Sequence, residues 1–318
     1  MLPGSPTDLA VIIVTRNTCA LTCAAIRSVL ESRDALAKEI TVADNGSTDE
    51  TPAAVRREFP AVKYLRSETN LGFASANNLA ARAAQGEFLL LLNSDARLKA
   101  DALAQGISWM RQHPECGVAG AQLVNPDGSL QNSIANAPSL ATELLNKSLL
   151  RRLFPRRFPG KERAGAAPRQ VESVVGACLL IRQSLWQAIG GFDERFFFFL
   201  EETDFCLQAR RRGWKVYHLP QMQVWHEQGQ SAKQLGPAAR VEYWRSRYAY
   251  FEKNCSRTAC ALLRAGLRAR LLADWLASGL LFAGTFGRSP RWRDKHELNT
   301  TLWRWHRRGC PPQMGLPR

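Results

Sequence analysis

The sequence predicts an α/β fold: a mostly parallel central sheet flanked by helices, followed by a basic helical C-terminal extension. Three observations carry this. Short β-branched or leucine-rich runs alternate with helix-period segments from residue 9 to about residue 112, the pattern of βαβ units. Three such runs end in polar clusters, at 15–17, 44–49 and 93–95, and ligands of parallel sheets sit at the carboxyl ends of their strands. The charge is also uneven. Of the net +15, residues 240–318 carry +11 through sixteen basic and five acidic side chains, and the preceding 239 residues carry only +4. A basic end on a near-neutral body points to an anionic partner such as a phospholipid surface, a diphosphate or a nucleic acid.

The elements follow in order. Leu9–Val14 is a continuous apolar run, the look of a strand buried on both faces. Helical spacing follows through Leu21, Ala25, Val29 and Leu30. Glu39–Val42 is the second strand, residues 51–58 a helix, and Val62–Leu65 the third strand. The turn Asn70-Leu71-Gly72-Phe73 opens an alanine-rich helix over 74–84, and Phe88–Leu92 is a fourth buried strand. Residues 101–112 read as helix and 117–135 as strand, turn and strand. Segment 150–170, rich in proline and arginine without periodicity, reads as a mobile loop. Val171–Ile181 returns to strand, 183–189 to helix, and a basic helix covers 205–212. Val216–Leu219 and Gln223–His226 are the last strands before the helical, basic end.

Several function classes are excluded early. The eight cysteines include no C-x-x-C pair and no zinc-spaced cysteine–histidine cluster, so they are expected as reduced thiols of a cytosolic protein. The N-terminus lacks a basic region before its apolar run and reads as a strand, not a signal peptide. The longest apolar stretch, Leu271–Gly287, is interrupted by Asp274 and falls short of a bilayer span. Neither G-x-G-x-x-G nor G-x-x-x-x-G-K-[ST] occurs, which argues against dinucleotide and P-loop sites.

Four places remain for chemistry. Asp44, after the second strand, can accept a hydrogen bond from a nucleobase ring N–H, or make an Asx-turn or cap the helix near Thr51. Asp95, at the end of a buried strand, is a helix cap or an oxygen ligand for Mg²⁺ or Mn²⁺. Glu201, Glu202 and Asp204 crowd together after the apolar run Phe196–Leu200, where like charge and apolar walls favour a proton acceptor; a solvated first helical turn is the plainer reading. His226 ends a strand and becomes a metal ligand only if Asp95 is near it in space.

Taken in order, VIIVTRN (11–17), ADNGSTD (43–49), NLGFASANN (70–78), LLNSDA (91–96), VGACLLI (175–181), GGFDE (190–194), EETDFC (201–206) and VWH (224–226) resemble the family-2 inverting glycosyltransferases of GT-A fold. The rhamnosyltransferase-like branch, which builds bacterial surface polysaccharides, is the nearest in look. The resemblance covers about residues 8–255, implying a GT-A domain over 1–255 and a basic helical extension over 256–318. It implies that Thr15, Arg16 and Asp44 line the nucleotide base and ribose, with Gly72 and Asn77 closing the base pocket. Asp95 matches the last acid of the family's D-x-D and His226 a histidine that completes the metal site in some members. Glu202 falls at the catalytic base, with Glu201 or Asp204 as sharers of that role. Two departures stand out: the D-x-D is Asn93-Ser94-Asp95, and the family's E-D pair is Glu-Glu.

The implied reaction moves a sugar from a nucleoside-diphospho-sugar, dTDP-rhamnose or a UDP-sugar, to a glycan or polyprenyl-diphosphate-linked acceptor with a divalent cation. The basic tail, with Trp275, Trp292, Trp303 and Trp305 beside Leu271–Gly287, suits a helix lying in an anionic membrane interface. A peripheral place on the inner face of the plasma membrane follows. The alternatives are a catalytically degenerate basic scaffold or membrane-binding protein and a nucleotidyltransferase. Nucleic acid is not expected as a partner, because the charge lies away from the motif-bearing body.

Overall fold

The structure is a computed structural model that describes residues 7–155, 165–227 and 236–318. By packing it divides into two units. The first holds described residues of Met1–Ala137 and Gly160–Gln230 with Arg318, the second those of Pro138–Pro159 and Ser231–Pro317.

The first unit begins with β1 (Leu9–Thr15), α1 (Cys19–Leu30), β2 (Lys38–Asp44), α2 (Thr51–Glu58), β3 (Lys63–Arg66), α3 (Gly72–Ala81), β4 (Phe88–Asn93), β5 (Ala96–Leu98), α4 (Ala102–Gln112), β6 (Cys116–Val124) and β7 (Ile134–Ala135). The second unit then contributes α5 (Leu140–Leu144) and α6 (Lys147–Leu153). The first resumes with β8 (Arg169–Gln170), β9 (Ser173–Val174), β10 (Cys178–Arg182), α7 (Gln183–Ile189), α8 (Glu201–Arg211) and β11 (Lys215–His226).

Among the described residues the main sheet has nine strands, in the order β3-β2-β1-β4-β10-β6-β11-β5, with β8 on β11. β3, β2, β1 and β4 are parallel, as the βαβ pattern requires. Beyond β4 the sheet is mixed: β10 runs antiparallel to both β4 and β6, β6 and β11 are parallel, and β5 is antiparallel to β11. The mostly parallel sheet expected from the sequence is parallel through its first four strands and again at β6–β11, with β10 and β5 as antiparallel members.

Strand alternation divides the core between the two sheet faces. Leu9, Val11, Ile13, Phe88, Leu90 and Leu92 pack with Ile26 and Val29 of α1, Val55 of α2 and Ile107 and Met110 of α4. Ala10, Ile12, Leu89 and Leu91 pack with Ala76 and Ala80 of α3, Trp186 of α7 and Phe205 of α8. Because both faces are covered, the continuous apolar runs in β1 and β4 have no solvent side.

Some elements differ from the sequence expectation. Val171–Ile181 is two strands with a break at 175–177, and 216–226 is one strand whose register to β6 shifts between Leu219 and Gln223. The mobile loop expected over 150–170 begins as α6, capped by Asn146 Oδ1 on the Ser148 and Leu149 N–H groups, and its middle lies outside the described residues.

The second unit also contains α9 (Gly236–Asn254), α10 (Arg257–Gly284) and α11 (Pro290–Arg307). The expected domain break at 255 falls between α9 and α10, inside this unit. Trp305 is 1% exposed and stacks on Tyr248, whose hydroxyl lies 2.9 Å from His306 Nε2. Trp275 donates to Thr300 Oγ1 at 3.0 Å and stacks on Trp303, joining α10 to α11. A buried Arg247–Glu143 pair at 2.6 Å ties α9 to α5. Trp305 thus serves the unit's own core instead of facing outward with the tail's cations.

Candidate active site

β1 lies between β2 and β4, so the chain leaves it in opposite directions and opens a crevice beyond the carboxyl ends of the parallel strands. The loops over that edge are joined by side-chain hydrogen bonds. Asn17, held at φ +53°, receives Thr48 N–H on its Oδ1 at 2.7 Å and donates its own N–H to Ser47 Oγ at 2.9 Å. Thr18 Oγ1 donates to Ser94 Oγ at 3.1 Å. Asn45 Nδ2 donates to the Gly72 carbonyl at 3.1 Å, and Phe73 N–H to the Phe197 carbonyl at 2.8 Å. Motifs far apart in sequence thereby form one rim.

The residues assigned to the nucleotide are placed as follows. Thr15 is buried, its hydroxyl bonded to those of Thr18 and Thr22 at 2.9 and 2.7 Å. Arg16 is exposed at the start of the same loop. Asp44 is 2% exposed; Oδ1 accepts from Ser47 N–H and Oγ, and Oδ2 accepts from the Tyr64 hydroxyl at 2.5 Å. Burial and this carboxylate push the Tyr64 hydroxyl well up, so it stays a donor. Asp44 therefore makes the Asx-type turn, while Asp49, two residues before α2 begins, accepts Thr51 N–H on Oδ1 at 3.1 Å.

Gly72 sits at φ +82°, and a Cβ there would lie 2.5 Å from the Phe197 carbonyl oxygen, so only glycine lets the loops meet this closely. Asn77 is buried and donates to the Phe73 carbonyl at 2.9 Å, fixing the first turn of α3 from within.

The three acids form the first turn of α8, so a helix was expected a few residues too late there. The turn is not solvated. Glu201 and Asp204 are 5% and 2% exposed, and Glu202 alone of the three is half-buried. Phe199 and Leu200, immediately before it, both take left-handed φ, +74° and +70°. Backbone strain of this kind costs about 1–3 kcal/mol per residue and is tolerated where the surroundings fix it, commonly at functional sites. Here the Phe73–Phe197 bond and the edge-on contact of Phe73 with Phe198 fix it. The result aims Glu202 across Gly176, whose position for a Cβ is 3.5 Å from Glu202 Cγ. The neighbouring Ala177 carbonyl accepts from Asn93 N–H at 3.0 Å, which joins segment 175–177 to the start of the Asn93-Ser94-Asp95 loop.

Burial, and then the charge of Glu202, push the Glu201 carboxyl well above the ordinary carboxylate range, and its Oε2 has no hydrogen-bond partner. A carboxyl whose native pKa is raised binds its proton more tightly folded than unfolded, so stability falls as pH rises from about 4.5 toward the native value. Glu201→Gln keeps the shape without the ionisation. It should melt higher than the parent, by a margin that widens from pH 5 to pH 8 in thermal unfolding; a constant margin would contradict the buried-acid account.

At the opposite side, β5 and β11 pair so that His226 faces Ala96, and His226 Nε2 lies 3.5 Å from Asp95 Oδ1. Both are 8% exposed. His226 Nδ1 is 2.9 Å from Gln131 Oε1. Among the described residues the Asp95 carboxylate meets no other donor or cation, although it is buried. Such a carboxylate with an imidazole nitrogen suits Mg²⁺ or Mn²⁺, which take few protein ligands and complete their shell with water and substrate phosphate. Among the described residues no group of three or more acids, histidines and cysteines converges, and Asp95 with His226 is the pair that could hold such an ion.

The model of glycosyl transferase family 2 matches residues 10–190. The chain belongs to this family. It is 28% identical over 267 residues to N-acetylglucosaminyl-diphospho-decaprenol L-rhamnosyltransferase of Mycobacterium tuberculosis, covering 79% of this chain and 86% of the relative. It is 23% identical to the low-salt glycan biosynthesis hexosyltransferase Agl10 of Haloferax volcanii, covering 80% of each. Among solved structures, the mannosyltransferase PcManGT of Pyrobaculum calidifontis, in complex with GDP-Man and Mn²⁺, aligns with a TM-score of 0.56 at 19% identity, covering 94% of this chain and 86% of its own. Staphylococcus aureus TarS 1–349 aligns at 0.52 and 17%, covering 95% and 92%. The fold is GT-A, and the chain is a glycosyltransferase.

Gln131 and Gly176 were not among the residues singled out from the sequence. Gly176 lay inside a quoted motif, but Gln131 has no sequence signal: it is a glutamine after a turn, and its partner is 95 residues away.

Proposed function

We propose that the chain transfers a sugar, with inversion, from a nucleoside-diphospho-sugar to a hydroxyl of a glycan or polyprenyl-diphosphate-linked acceptor in cell-surface polysaccharide synthesis. The observation that carries the reading is the approach of Asp95 and His226 to 3.5 Å at the strand ends, with the half-buried Glu202 beside Gly176 as the acid. The donor's nucleotide lies over the 15–17 and 44–47 loops, with Arg16 exposed toward its charge, Thr15 and Asp44 holding the loop shapes, and Gly72 and Asn77 holding the wall. Glu202 removes the acceptor hydroxyl's proton as that oxygen attacks the anomeric carbon from the face opposite the leaving nucleoside diphosphate. Burial, and then the charge of Glu202, push the Glu201 carboxyl upward, so its proton is held more tightly than that of an ordinary carboxyl. Asp204, buried in the same turn, orients the helix end. Asp95 and His226 hold the cation, which when bound acts as Lewis acid toward the departing diphosphate.

The likeness to the rhamnosyltransferase supports dTDP-L-rhamnose as donor, with a UDP-sugar as the second candidate. Thermal-shift measurements with dTDP, UDP and GDP, each with Mn²⁺, test this. A 100-fold excess over Kd stabilises by about 2.7 kcal/mol, so dTDP or UDP should raise the melting temperature by several degrees. No response to any of the three would overturn the donor reading.

The acceptor reading places the enzyme peripherally, on the inner face of the plasma membrane. No helix among the described residues is long and apolar enough to cross a membrane. α10 nonetheless carries two apolar sides. Leu263, Leu267 and Leu271 are buried, whereas Leu262, Leu272, Leu276 and Leu280 are exposed along another stripe, Leu280 by 74%. Arg257, Arg264 and Arg268 lie between the two on the helix surface, and basic residues beside an outward apolar stripe suit an anionic phospholipid surface. We expect Leu276→Glu with Leu280→Glu to reduce co-flotation with phosphatidylglycerol vesicles at least tenfold, and salt to weaken the parent's binding. Unchanged flotation would count against the membrane reading.

A further inference from the structure

Among the described residues the amide of Gln131 is the side chain that hydrogen-bonds the His226 ring at Nδ1. Gln131 follows the turn after β6 and is 8% exposed. Its Nε2 donates to the His226 backbone carbonyl at 2.6 Å and to Asn125 Oδ1 at 2.7 Å, and its Oε1 lies 2.9 Å from His226 Nδ1. The backbone carbonyl settles which end of the amide is which. Flipped, Gln131 would set its own oxygen against that carbonyl oxygen at hydrogen-bond distance. Oε1 is therefore the acceptor, and His226 Nδ1 is the donor.

The glutamine is itself fixed at both ends of its peptide. Its N–H donates to the Leu123 carbonyl at 2.8 Å, and its carbonyl accepts from Gln122 Nε2 at 3.0 Å. Gln122, 2% exposed, also donates to Ser133 Oγ at 3.1 Å. A buried chain of amides thus runs from β6 to the ring of His226.

With the proton on Nδ1, the lone pair of neutral His226 is on Nε2, which is the nitrogen 3.5 Å from Asp95 Oδ1. Two donors bound at about 2.1 Å to one ion stand roughly 3–3.5 Å apart. The other tautomer would point an N–H into the place of the ion. We propose that Gln131 is a positioning residue for the divalent cation: it fixes the tautomer and ring orientation of His226 so that Nε2 and Asp95 receive the ion together. This rests on the reading of Asp95 and His226 as the cation's ligands.

The test uses the full chain and two readouts besides activity. The first is the ¹⁵N signature of His226 without metal, assigned by its loss in His226→Asn. The second is Mn²⁺ affinity from electron paramagnetic resonance titration of free Mn²⁺. The parent should show Nδ1–H. Gln131→Leu, close in volume but without an acceptor, should lose that uniform tautomer and bind Mn²⁺ about 10–100-fold more weakly, the usual cost of removing such an outer partner. An unchanged tautomer in Gln131→Leu would overturn the proposal alone. A changed tautomer with unchanged Mn²⁺ affinity would overturn the ligand reading beneath it, and the proposal with it. If Gln131→Leu does not fold, the parent's spectrum decides: Nε2–H on His226 overturns the proposal, and Nδ1–H supports it.

Discussion

Glu202→Gln is expected to lower sugar transfer by about a thousandfold, while the Kd for nucleoside diphosphate stays within about twofold of the parent. A positioned general base contributes typically 10²–10⁴-fold, and glutamine keeps the shape and removes the basicity. On the proposed reading the effect is assigned to this acid and not to its neighbours by their burial. Glu201 and Asp204 are 5% and 2% exposed, so neither is placed to take a proton from an incoming acceptor. Glu202 is the half-buried member, set over a glycine that leaves room beside it. Single-turnover kinetics with saturating donor would measure the chemical step directly. Glu201→Gln should retain most of the rate, because Glu201 is 5% exposed and the replacement keeps its shape. A Glu202→Gln enzyme that turns over near the parent's rate would remove Glu202 as the base.

The Glu-Glu pair, where the family resemblance leads one to expect Glu-Asp, acquires a physical reading from this turn. Moving a carboxylate by one methylene displaces it by about 1 Å, enough to be costly in a catalytic site. Here two consecutive left-handed residues, Phe199 and Leu200, set where the helix starts, and so also set how far the acid projects. The longer side chain and the strained entry act on the same quantity, the reach of the carboxylate toward the acceptor.

Periodicity was enough to read the first half of the fold. β1, β2 and β4 are apolar runs because both sheet faces are covered, and α1 has helix-spaced apolar residues because one side of it packs on the sheet, so nothing nonlocal is needed to recognise them. The second half was less legible because its strands pair antiparallel and across long separations. β10 inserts between β4 and β6, and no local pattern announces which neighbour a short apolar strand will choose. The strand-like apolar run before α8 hid its start, because Phe199 and Leu200 take left-handed backbone that no helix pattern contains, although the acids after it were also read as a first helical turn.

The site divides in the same way. Asp95, His226 and Glu202 could be nominated because acids and histidines at strand and helix ends carry chemistry in any chain. What those residues do to one another could not be read. The Asp95–His226 approach depends on the β5–β11 register, and the occupied state of Asp44 depends on Tyr64, twenty residues on, in a neighbouring strand. The tail shows the limit most plainly. Tryptophans near arginines looked like an interfacial set, but Trp305 fills the second unit's core and leucines carry the outward stripe.

Asp95→Asn is expected to cut kcat/KM by two to three orders of magnitude and to leave the metal-free protein at least as stable as the parent. The two halves of that expectation have one cause. Among the described residues the buried Asp95 carboxylate meets only the Nε2 edge of His226, so the protein itself stabilises it poorly, and removing its charge costs the apo fold nothing. Its value appears only with a cation. A Lewis acid at the leaving group supplies several kcal/mol, and each 1.36 kcal/mol is tenfold in rate. Mn²⁺ should raise the melting temperature of the parent and leave that of Asp95→Asn unmoved, since only a ligand bound by the native state stabilises it. If the substitution destabilised the metal-free protein while preserving the Mn²⁺ response, Asp95 would be a structural acid. Lost activity with retained apo stability is the signature of a group kept for chemistry at the expense of the fold.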